Sequence, residues 1–422
     1  MISPNATPLN QFLYNWKSEC PDHIDLTKES HGQIVRQIAD SILQNNYTLK
    51  DIDEVETQLI EEHIPTIIFL LLALKLSRSK FKAASTHEDI KVTVVFAVYK
   101  EHQRILPSSL HPHGEDFLRR KVKQINWLFD GCQNIKWELV VVDDGCPEGS
   151  GKIAQEIIDQ DGLHEQVKVL FLADAIDRGL EPTIGLSSTN DSQKGGSITY
   201  GMWDAIQKNH EKQHIVVFTD ADLSTHLGQL MLLVDPILNQ NKSVAIGSRR
   251  EKRSIVIKQG SRNNRGKLFI YLWKKMIPNL GDIIDTQCGF KAFNSSIIPY
   301  IIKDMIEKKF AFDIELLLRA QQVQKGTIEK VPIAWIDSEA ASTTTDLQPY
   351  LPMLKSIAKM SKRYFPDHAS ENEFITLVES IDDMAFAKLL ENIPDGITSR
   401  QPSEFTNYNG VTSRDLHQII SN

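Results

Sequence analysis

From about residue 90 onward, short apolar and β-branched runs alternate with segments of helical periodicity, and this pattern constrains the fold more than any other feature of the chain. The runs lie at residues 92–98, 139–142, 167–172, 215–218 and 244–246. Strands that alternate with helices form parallel sheets whose two faces are covered by those helices. We therefore predict an α/β fold with a mainly parallel sheet flanked by helices.

Polar residues directly follow three of these runs. They are Tyr99, Lys100 and Glu101 after the first run, Asp143 and Asp144 after the second, and Asp220 and Asp222 after the fourth. Each cluster alone is typical of a solvated turn. Because ligands of such sheets bind beyond the carboxyl ends of the strands, we expect the three clusters to form one shared site.

Asp220 and Asp222 are the strongest candidates for a metal site. Two carboxylates one residue apart at a strand end suit Mg²⁺ or Mn²⁺, which bind through one or two carboxylates and the phosphates of a substrate. The pair alone is weak evidence, because Asp-x-Asp strings are common in turns. Together with the neighbouring clusters, it predicts an enzyme that binds a nucleoside diphosphate.

Lys194 and Gly195 begin a predicted helix after residues 173–193, a long segment without periodicity. Loops of this length are often binding loops or lids. Glycine allows a close backbone approach, and a helix N-terminus beside a lysine suits a phosphate. We therefore expect a phosphate here, with a plain helix start as the alternative.

The regions on either side of the alternating pattern are predicted to be helical. Ile34, Ile38 and Ile42 recur four residues apart in the first 88 residues. Residues 64–76 are strongly apolar but shorter than the ~20 residues that a membrane-spanning helix needs, so they predict a buried helix, with a membrane-surface segment as the alternative. Beyond residue 365 the chain is acidic, with helical spacing at residues 374–381 and a Pro/Ser/Asn/Gly-rich tract at 394–410.

Charge and cysteine content restrict the partners and the compartment. A net charge of −8 and a pI near 5.9 argue against a nucleic-acid partner, although the basic residues at 249–253 leave a local anion site open. The four cysteines are scattered, which fits a reducing compartment, and the first thirty residues carry no secretory signal. We therefore predict a cytoplasmic protein without a transmembrane segment.

Eight strings of the central region occur in the order and at the approximate spacing of a known family. They are VTVVFAVYKE, ELVVVDDG, QKGGSITYGM, VVFTDADL, AIGSR, DTQCGFKAF, FAFDIELL and VPIAW. On these strings, residues 91 to about 365 resemble glycosyltransferase family 2, and within it the dolichyl-phosphate glucosyltransferase group. The chain departs from the family at Val98, where proline is usual, at Lys100, where asparagine is usual, and at Cys146, where serine is common.

The resemblance implies a domain organisation. A GT-A domain with a Rossmann-like, mainly parallel sheet would span residues 89–365, with a nucleotide-sugar half at 89–250 and an acceptor half at 251–365. Residues 1–88 would form a helical extension and residues 366–422 an acidic appendage.

The resemblance also implies roles on the donor side. Val98, Tyr99 and Glu101 would border the uridine pocket, Asp144 would hydrogen-bond the uracil with Asp143 beside it, and Lys194 and Gly195 would approach the donor. Asp220 and Asp222 would hold the metal and the ribose, with Asp222 bonded directly to the metal.

On the acceptor side, Asp313 aligns with the family's catalytic aspartate near the start of a helix. That position favours an ionised carboxylate, which a general base requires, although the residue alone reads as a helix N-cap. Asp285 and Gln287 are the second choices for sugar contact or catalysis. Arg249 would touch the donor or an anionic acceptor. Trp335 would be a platform and the polar tract 338–346 a mobile lid, with core packing the alternative for Trp335.

The predicted function is metal-dependent transfer of a hexose, glucose from UDP-glucose, with inversion and with Asp313 as base. A hydroxyl acceptor is favoured because no membrane anchor is apparent. The alternatives are a retaining enzyme of the glucosyl-phosphoglycerate synthase type and a polyprenyl-phosphate glycosyltransferase in peripheral contact with a membrane. A sugar nucleotidylyltransferase lacks its glycine-rich basic loop here, and a binding protein on an inactive scaffold would not need the three aspartates.

Overall fold

The computed structural model describes residues 8–45, 47–62, 66–207, 213–257, 263–337 and 349–421. The predicted tract 338–346 lies outside the described residues, as do residues 64 and 65 of the apolar stretch.

A seven-stranded sheet forms the centre of the molecule. Its strands are β1 (Ile90–Val98), β2 (Ile135–Asp143), β3 (Val167–Phe171), β4 (Gln213–Thr219), β5 (Val244–Ser248), β7 (Phe290–Asn294) and β8 (Ile328–Pro332), and β6 (Ile255–Ile257) pairs with β9 (Ala334–Ile336) in a separate two-stranded sheet. The order is β3-β2-β1-β4-β7-β5-β8, and β7 is antiparallel to both of its neighbours. The remaining pairs are parallel. The predicted α/β fold class is confirmed, and each of the five predicted runs forms a strand.

Both faces of the sheet are buried, because successive side chains of a strand point to opposite faces. Val94 and Phe96 of β1 belong to one hydrophobic core, whereas Val95 between them belongs to the other. This explains why the strand sequences are continuously apolar rather than alternating.

Four helices precede the sheet and cover its first face. They are α1 (Pro8–Trp16), α2 (Glu29–Gln44), α3 (Leu49–Leu59) and α4 (Ile67–Ala84). Ile38 and Ile42 of α2 are fully buried, as the periodicity predicts. The apolar segment is the buried first half of α4, which confirms the buried-helix interpretation. Among the described residues, we find no helix with both the length and the apolar character needed to cross a membrane.

The helices within the alternating region are α5 (Phe117–Phe129), α6 (Ser150–Asp161), α7 (Leu172–Asp177), α8 (Gly195–Gln207), α9 (Leu230–Asn239), α10 (Asn263–Met276), α11 (Ile298–Ile302) and α12 (Phe312–Val323). The segment 173–193 is more ordered than its sequence indicates. It contains most of α7 and two short 3₁₀ helices, Glu181–Thr183 and Thr189–Asp191.

The C-terminal region wraps around α10. Its helices are α13 (Tyr350–Tyr364), α14 (Pro366–Ser370), α15 (Glu373–Ser380), α16 (Asp383–Glu391), α17 (Asp395–Thr398) and α18 (Ser413–Ser421). The Nζ of Lys267 donates to the Thr398 carbonyl at 2.6 Å, and the Nζ of Lys275 donates to the Tyr408 carbonyl at 2.6 Å. Leu377 and Phe405 belong to the same hydrophobic core as Val95 of β1. The predicted N-terminal extension therefore contributes to the core on one face of the central sheet, and the predicted C-terminal appendage contributes to the core on the other face.

Candidate active site

The three predicted polar clusters meet at one edge of the sheet. β1 pairs in parallel with both β2 and β4, so that Val98 lies opposite Asp143 and Val95 lies opposite Phe218. The expectation of a shared edge is confirmed. Val98 is buried, whereas Tyr99 is 48 % exposed and its ring centre lies 5.5 Å from the Nζ of Lys100.

Asp143 shapes the turn that follows β2. Its carboxylate accepts hydrogen bonds from the backbone N–H groups of Gly145 (2.9 Å), Cys146 (2.9 Å) and Gly151 (2.7 Å). A Cβ at position 151 would lie 2.6 Å from this carboxylate, which explains the glycine there. The carboxylate of Asp143 thus organises the backbone beside the site.

Asp144 connects the sheet edge to the start of α8. Its Oδ2 accepts from the backbone N–H of Lys194 at 2.8 Å, and its Oδ1 accepts from the Oγ of Ser197 at 2.6 Å. Burial raises the pKa of Asp144, while these hydrogen bonds oppose the rise.

The N-terminus of α8 differs from the predicted phosphate cradle. The N–H of Gly196 donates to the Lys308 carbonyl at 2.9 Å, and a Cβ at Gly195 would lie 2.7 Å from the carbonyl oxygens of Lys308 and Lys309. Gly195 therefore permits close packing against another loop, and the backbone approach that we expected for a phosphate is made by protein. Lys194 itself adopts a left-handed conformation, with φ 82°.

The acidic pair, Asp220 and Asp222, follows β4. The Nζ of Lys194 pairs with Asp220 Oδ1. Burial would raise the pKa of Asp220, but the Lys194 ammonium, assisted by Lys291 and Arg249, lowers it below the ordinary value. Asp222 Oδ1 accepts from the N–H (3.0 Å) and the Oγ (2.6 Å) of Ser224, so the carboxylate is held in a tight turn.

Two further charged side chains, those of Lys121 and Glu101, lie close to the acidic pair. Lys121 on α5 is fully buried, and its Nζ donates to the Asp222 backbone carbonyl at 2.8 Å. Burial lowers the pKa of Lys121 to about 8, against the opposing effect of Asp222. Glu101 is paired with Arg104 at 3.0 Å, yet burial together with repulsion from Asp222 raises the pKa of Glu101 to about 7.

Asp313 lies in the second position of α12 and is not its N-cap. The N-cap is Ala311, which makes no side-chain cap, and the Asp313 Oδ1 instead accepts from the Nζ of Lys291 at 2.9 Å. Burial raises the pKa of Asp313 even though Lys291 and Lys194 oppose the rise. The helix position was expected to favour the ionised form, but desolvation outweighs it. A raised pKa suits a general base.

The carboxylate of Asp285 forms an ion pair with Arg249. Its carboxylate accepts from the Arg249 backbone N–H (2.7 Å), Nε (2.8 Å) and Nη2 (2.7 Å). Burial would raise the pKa of Asp285, but the guanidinium lowers it to about 2. Such a weakly basic, fully bonded carboxylate is poorly suited to remove a proton, so the structure argues against Asp285 as the second-choice catalytic residue.

The guanidinium of Arg249 also lies 5.3 Å from the centre of the Trp335 ring, a cation–π geometry. Trp335 is partly buried and packs against the hydrophobic core that contains Val94 and Phe96, so the core-packing alternative describes part of its surroundings. Nearby in the chain, Gln287 has a buried Nε2 without a hydrogen-bond partner among the described residues. A buried amide left unpaired is unusual in a native protein, and a water, an ion or a ligand would satisfy it.

The sequence did not identify the two buried lysines as site residues. Lys121 lies on the buried side of α5, and Lys291 lies in β7 between Phe290 and Ala292. A lysine inside an apolar strand string is a signal that could have marked Lys291, because such a cation needs a buried carboxylate partner.

The acidic pair fits a divalent cation. Among the described residues, no group of three His, Cys, Asp or Glu side chains is arranged as a metal site. Mg²⁺ is commonly bound in this way, by one or two carboxylates together with substrate phosphates. No hydrogen bond from the described residues reaches Asp222 Oδ2, so this oxygen is available to a cation.

The class of the protein follows from comparison with known proteins, since the curated relatives that the chain matches are glycosyltransferases. No family model matches the chain. It is 27 % identical over 262 residues to the dolichyl-phosphate β-glucosyltransferase of Saccharomyces cerevisiae, covering 59 % of this chain and 67 % of that protein. The enzyme of the same name from Drosophila melanogaster is 26 % identical over 269 residues, with 63 % and 72 % covered.

Solved structures with a similar fold include two sugar-phosphoglycerate synthases. Glucosyl-3-phosphoglycerate synthase from Mycobacterium tuberculosis, in complex with Mn²⁺, UDP-glucose and glycerol 3-phosphate, has a TM-score of 0.44 and 15 % identity, covering 68 % of this chain and 83 % of that one. Mannosyl-3-phosphoglycerate synthase from Rubrobacter xylanophilus has a TM-score of 0.46 and 11 % identity, with 69 % and 79 % covered.

The curated relatives confirm the family predicted from the motifs. The chain is a glycosyltransferase related to the dolichyl-phosphate β-glucosyltransferases of glycosyltransferase family 2.

Proposed function

We propose that the protein transfers glucose from UDP-glucose to a phosphate-bearing acceptor, with inversion at the anomeric carbon. The observation that carries this proposal is the convergence of Asp220, Asp222 and Asp313 with two lysines at one sheet edge. Lys194 pairs with Asp220, and Lys291 pairs with Asp313 while also lowering the pKa of Asp220. The names of the curated relatives support both the sugar and the acceptor class.

On the donor side, Asp144 would accept a hydrogen bond from the uracil, and the exposed Tyr99 ring would border the base. Asp220 and Asp222 would hold Mg²⁺ or Mn²⁺, which stabilises the negative charge of a departing nucleoside diphosphate. Lys194, already paired with Asp220, would add a second positive charge near the diphosphate.

On the acceptor side, Arg250 would supply a positive charge, which suits a phosphate acceptor and which a hydroxyl acceptor would not need. Its guanidinium is partly buried, and within the described part of the chain it makes no hydrogen bond or ion pair, whereas the adjacent Arg249 is fully engaged by Asp285. Burial lowers the pKa of Arg250. The Asp285 carboxylate opposes this effect, and the neighbouring Arg249 adds to it. A partly desolvated cation without a partner is stabilised by an anionic ligand such as a phosphate.

In the proposed reaction, the bond between the anomeric carbon and the diphosphate oxygen breaks while a bond to the acceptor oxygen forms. UDP leaves with the bonding electron pair. A phosphate acceptor is already ionised and releases no proton, whereas a hydroxyl nucleophile would lose its proton to Asp313. This replaces the hydroxyl acceptor favoured from the sequence. Peripheral membrane contact and a cytoplasmic location stay predictions.

The direct test is UDP release from UDP-glucose by the purified chain with Mg²⁺ or Mn²⁺, with and without a short-chain isoprenyl monophosphate. We expect release that depends on the acceptor and a β-linked product by NMR. An α-linked product would establish the retaining alternative, and donor binding without any release would favour an inactive binding protein.

Asp144→Asn is expected to weaken UDP binding by about 5- to 150-fold, the effect of losing a charge-assisted hydrogen bond worth roughly 1–3 kcal/mol. The metal preference should not change. Calorimetry with UDP measures this effect. Asp191→Asn is the matched control, since Asp191 is a partly buried carboxylate whose hydrogen bonds go to Ser187 and Ser188 within its own loop. Equal UDP affinity in the two variants would remove Asp144 from the pocket.

Arg250→Met is expected to raise KM for the isoprenyl monophosphate by about 10- to 100-fold, because charged hydrogen bonds contribute roughly 1.5–3 kcal/mol. UDP affinity should stay at the wild-type value. Lys252→Met is the control, since Lys252 is an exposed cation two residues away. A similar KM in both variants would show that the loss is one of general charge rather than of a phosphate contact.

A further inference from the structure

A buried cluster of charges joins the N-terminal helices to the acceptor half. Glu56 of α3 and Lys75 of α4 have fully buried side chains and lie 2.9 Å apart. Glu56 Oε2 also pairs with the Nη2 of Arg78 at 2.7 Å. Burial would raise the pKa of Glu56, but Lys75 and Arg78 lower it to about 2, so the carboxylate remains ionised in the interior.

The third cation of this cluster comes from a distant part of the chain. Residues 249–254 link β5 to β6, and we call them the arginine loop. The Nη2 of Arg253 in this loop pairs with Glu56 Oε2, and it lies 2.7 Å from Asp53 Oδ1. The other end of the loop is fixed by the ion pair of Arg249 with Asp285. Arg250, the unpaired cation, lies between these two attachments.

Lys75 also forms a hydrogen bond with the end of a sheet strand. Its Nζ donates to the Pro332 carbonyl at 3.1 Å, at the end of β8. The chain continues directly into β9, where Trp335 lies under the Arg249 guanidinium. One buried cluster therefore fixes both the arginine loop and the strand that supports it.

Buried ion pairs contribute little net stability, because the loss of hydration offsets their attraction, and similar apolar residues often pack as well. What such a cluster supplies is a fixed arrangement of its members. We propose that the N-terminal helices are a working part of the acceptor site, and that Glu56 and Arg253 are positioning residues that fix the arginine loop and orient Arg250. This inference rests on the proposed function, in which Arg250 contacts the acceptor phosphate.

The test uses Arg253→Met in the full chain, which detaches the loop while Glu56 keeps Lys75 and Arg78 as partners. We expect KM for the isoprenyl monophosphate to rise about ten-fold, with UDP affinity and kcat within two-fold of wild type. Lys82→Met is the matched control. It breaks another ion pair between α4 and the core, that of Lys82 with Asp235 at 2.6 Å, which involves no residue of the arginine loop. We expect wild-type KM in this variant.

A double variant separates positioning from general destabilisation. If Arg253 acts through Arg250, then Arg250→Met combined with Arg253→Met should raise KM no further than Arg250→Met alone. Effects that multiply independently would overturn the inference, as would an unchanged KM in Arg253→Met.

Hydrogen exchange gives a readout that needs no acceptor. Arg253→Met should exchange faster than wild type in peptides covering residues 249–254, and Lys82→Met should not. Unchanged exchange in Arg253→Met would overturn the positioning role by itself. Absence of transfer by the wild-type protein would instead defeat the proposed function, whatever the exchange result.

Discussion

Asp222→Ala is expected to abolish turnover of UDP-glucose and metal-dependent UDP binding while the protein stays folded. A hard cation held by two carboxylates and a diphosphate loses half of its protein ligands in this variant. Turnover should fall by at least about 10³-fold, comparable to the effect of removing a major electrostatic stabiliser of a transition state. UDP release with and without excess chelator measures it, and chelation of the wild type should reproduce the defect.

Asp222→Asn removes the charge of this residue but keeps the hydrogen bonds that hold its turn. The amide oxygen can still accept from the N–H and Oγ of Ser224, so the backbone after β4 should keep its shape. We expect this variant to be nearly as inactive as Asp222→Ala. Activity that survives either substitution, or survives excess chelator, would refute the metal site.

Asp313→Asn is expected to slow the reaction of UDP-glucose with water much more than its reaction with an isoprenyl monophosphate. Hydrolysis of UDP-glucose uses water, which must lose a proton, so its rate should fall by about 10²–10⁴-fold when the base is removed. Transfer to an isoprenyl monophosphate should persist, because the second pKa of a phosphomonoester is near ~6 and the nucleophile is already largely ionised at neutral pH. Both rates are measured by UDP release at saturating UDP-glucose.

Calorimetry with UDP should show wild-type affinity in Asp313→Asn, which distinguishes a lost base from a damaged donor site. A wild-type rate of hydrolysis would show that Asp313 has no base role. Equal losses of hydrolysis and of phosphate transfer would indicate that the pair of Asp313 with Lys291 positions groups common to both reactions.

The sheet and its functional edge were predictable because both depend on local patterns. The apolar runs give the strands, and the acidic pair follows its strand directly, so spacing alone brings Asp144 and Asp220 to one edge. The antiparallel β7 was not predicted, since its five residues include Lys291 and Asn294 and do not form an apolar run.

The partners of the site residues depend on burial and on contacts between remote parts of the chain. Asp285 was expected to contact sugar or take part in catalysis, yet it is bonded to Arg249, 36 residues earlier. Asp313 was a candidate N-cap from the sequence, but α12 begins one residue earlier and the carboxylate pairs with Lys291. Gly195 was correctly recognised as a position of close backbone approach, but the sequence could not indicate that the approaching group is the Lys308 carbonyl.

The contact between Lys75 and the Pro332 carbonyl spans 257 positions of the chain, and it has a consequence for biosynthesis. Helix α4 leaves the ribosome long before the strand that completes its charge cluster, by roughly 10–50 s at synthesis rates of about 5–20 residues per second. During that interval the apolar helix α4 lacks its final neighbours, and Lys75 lacks the Pro332 carbonyl although Glu56 is already present. We therefore expect the nascent N-terminal region to expose the apolar surface of α4 until β8 has been synthesised.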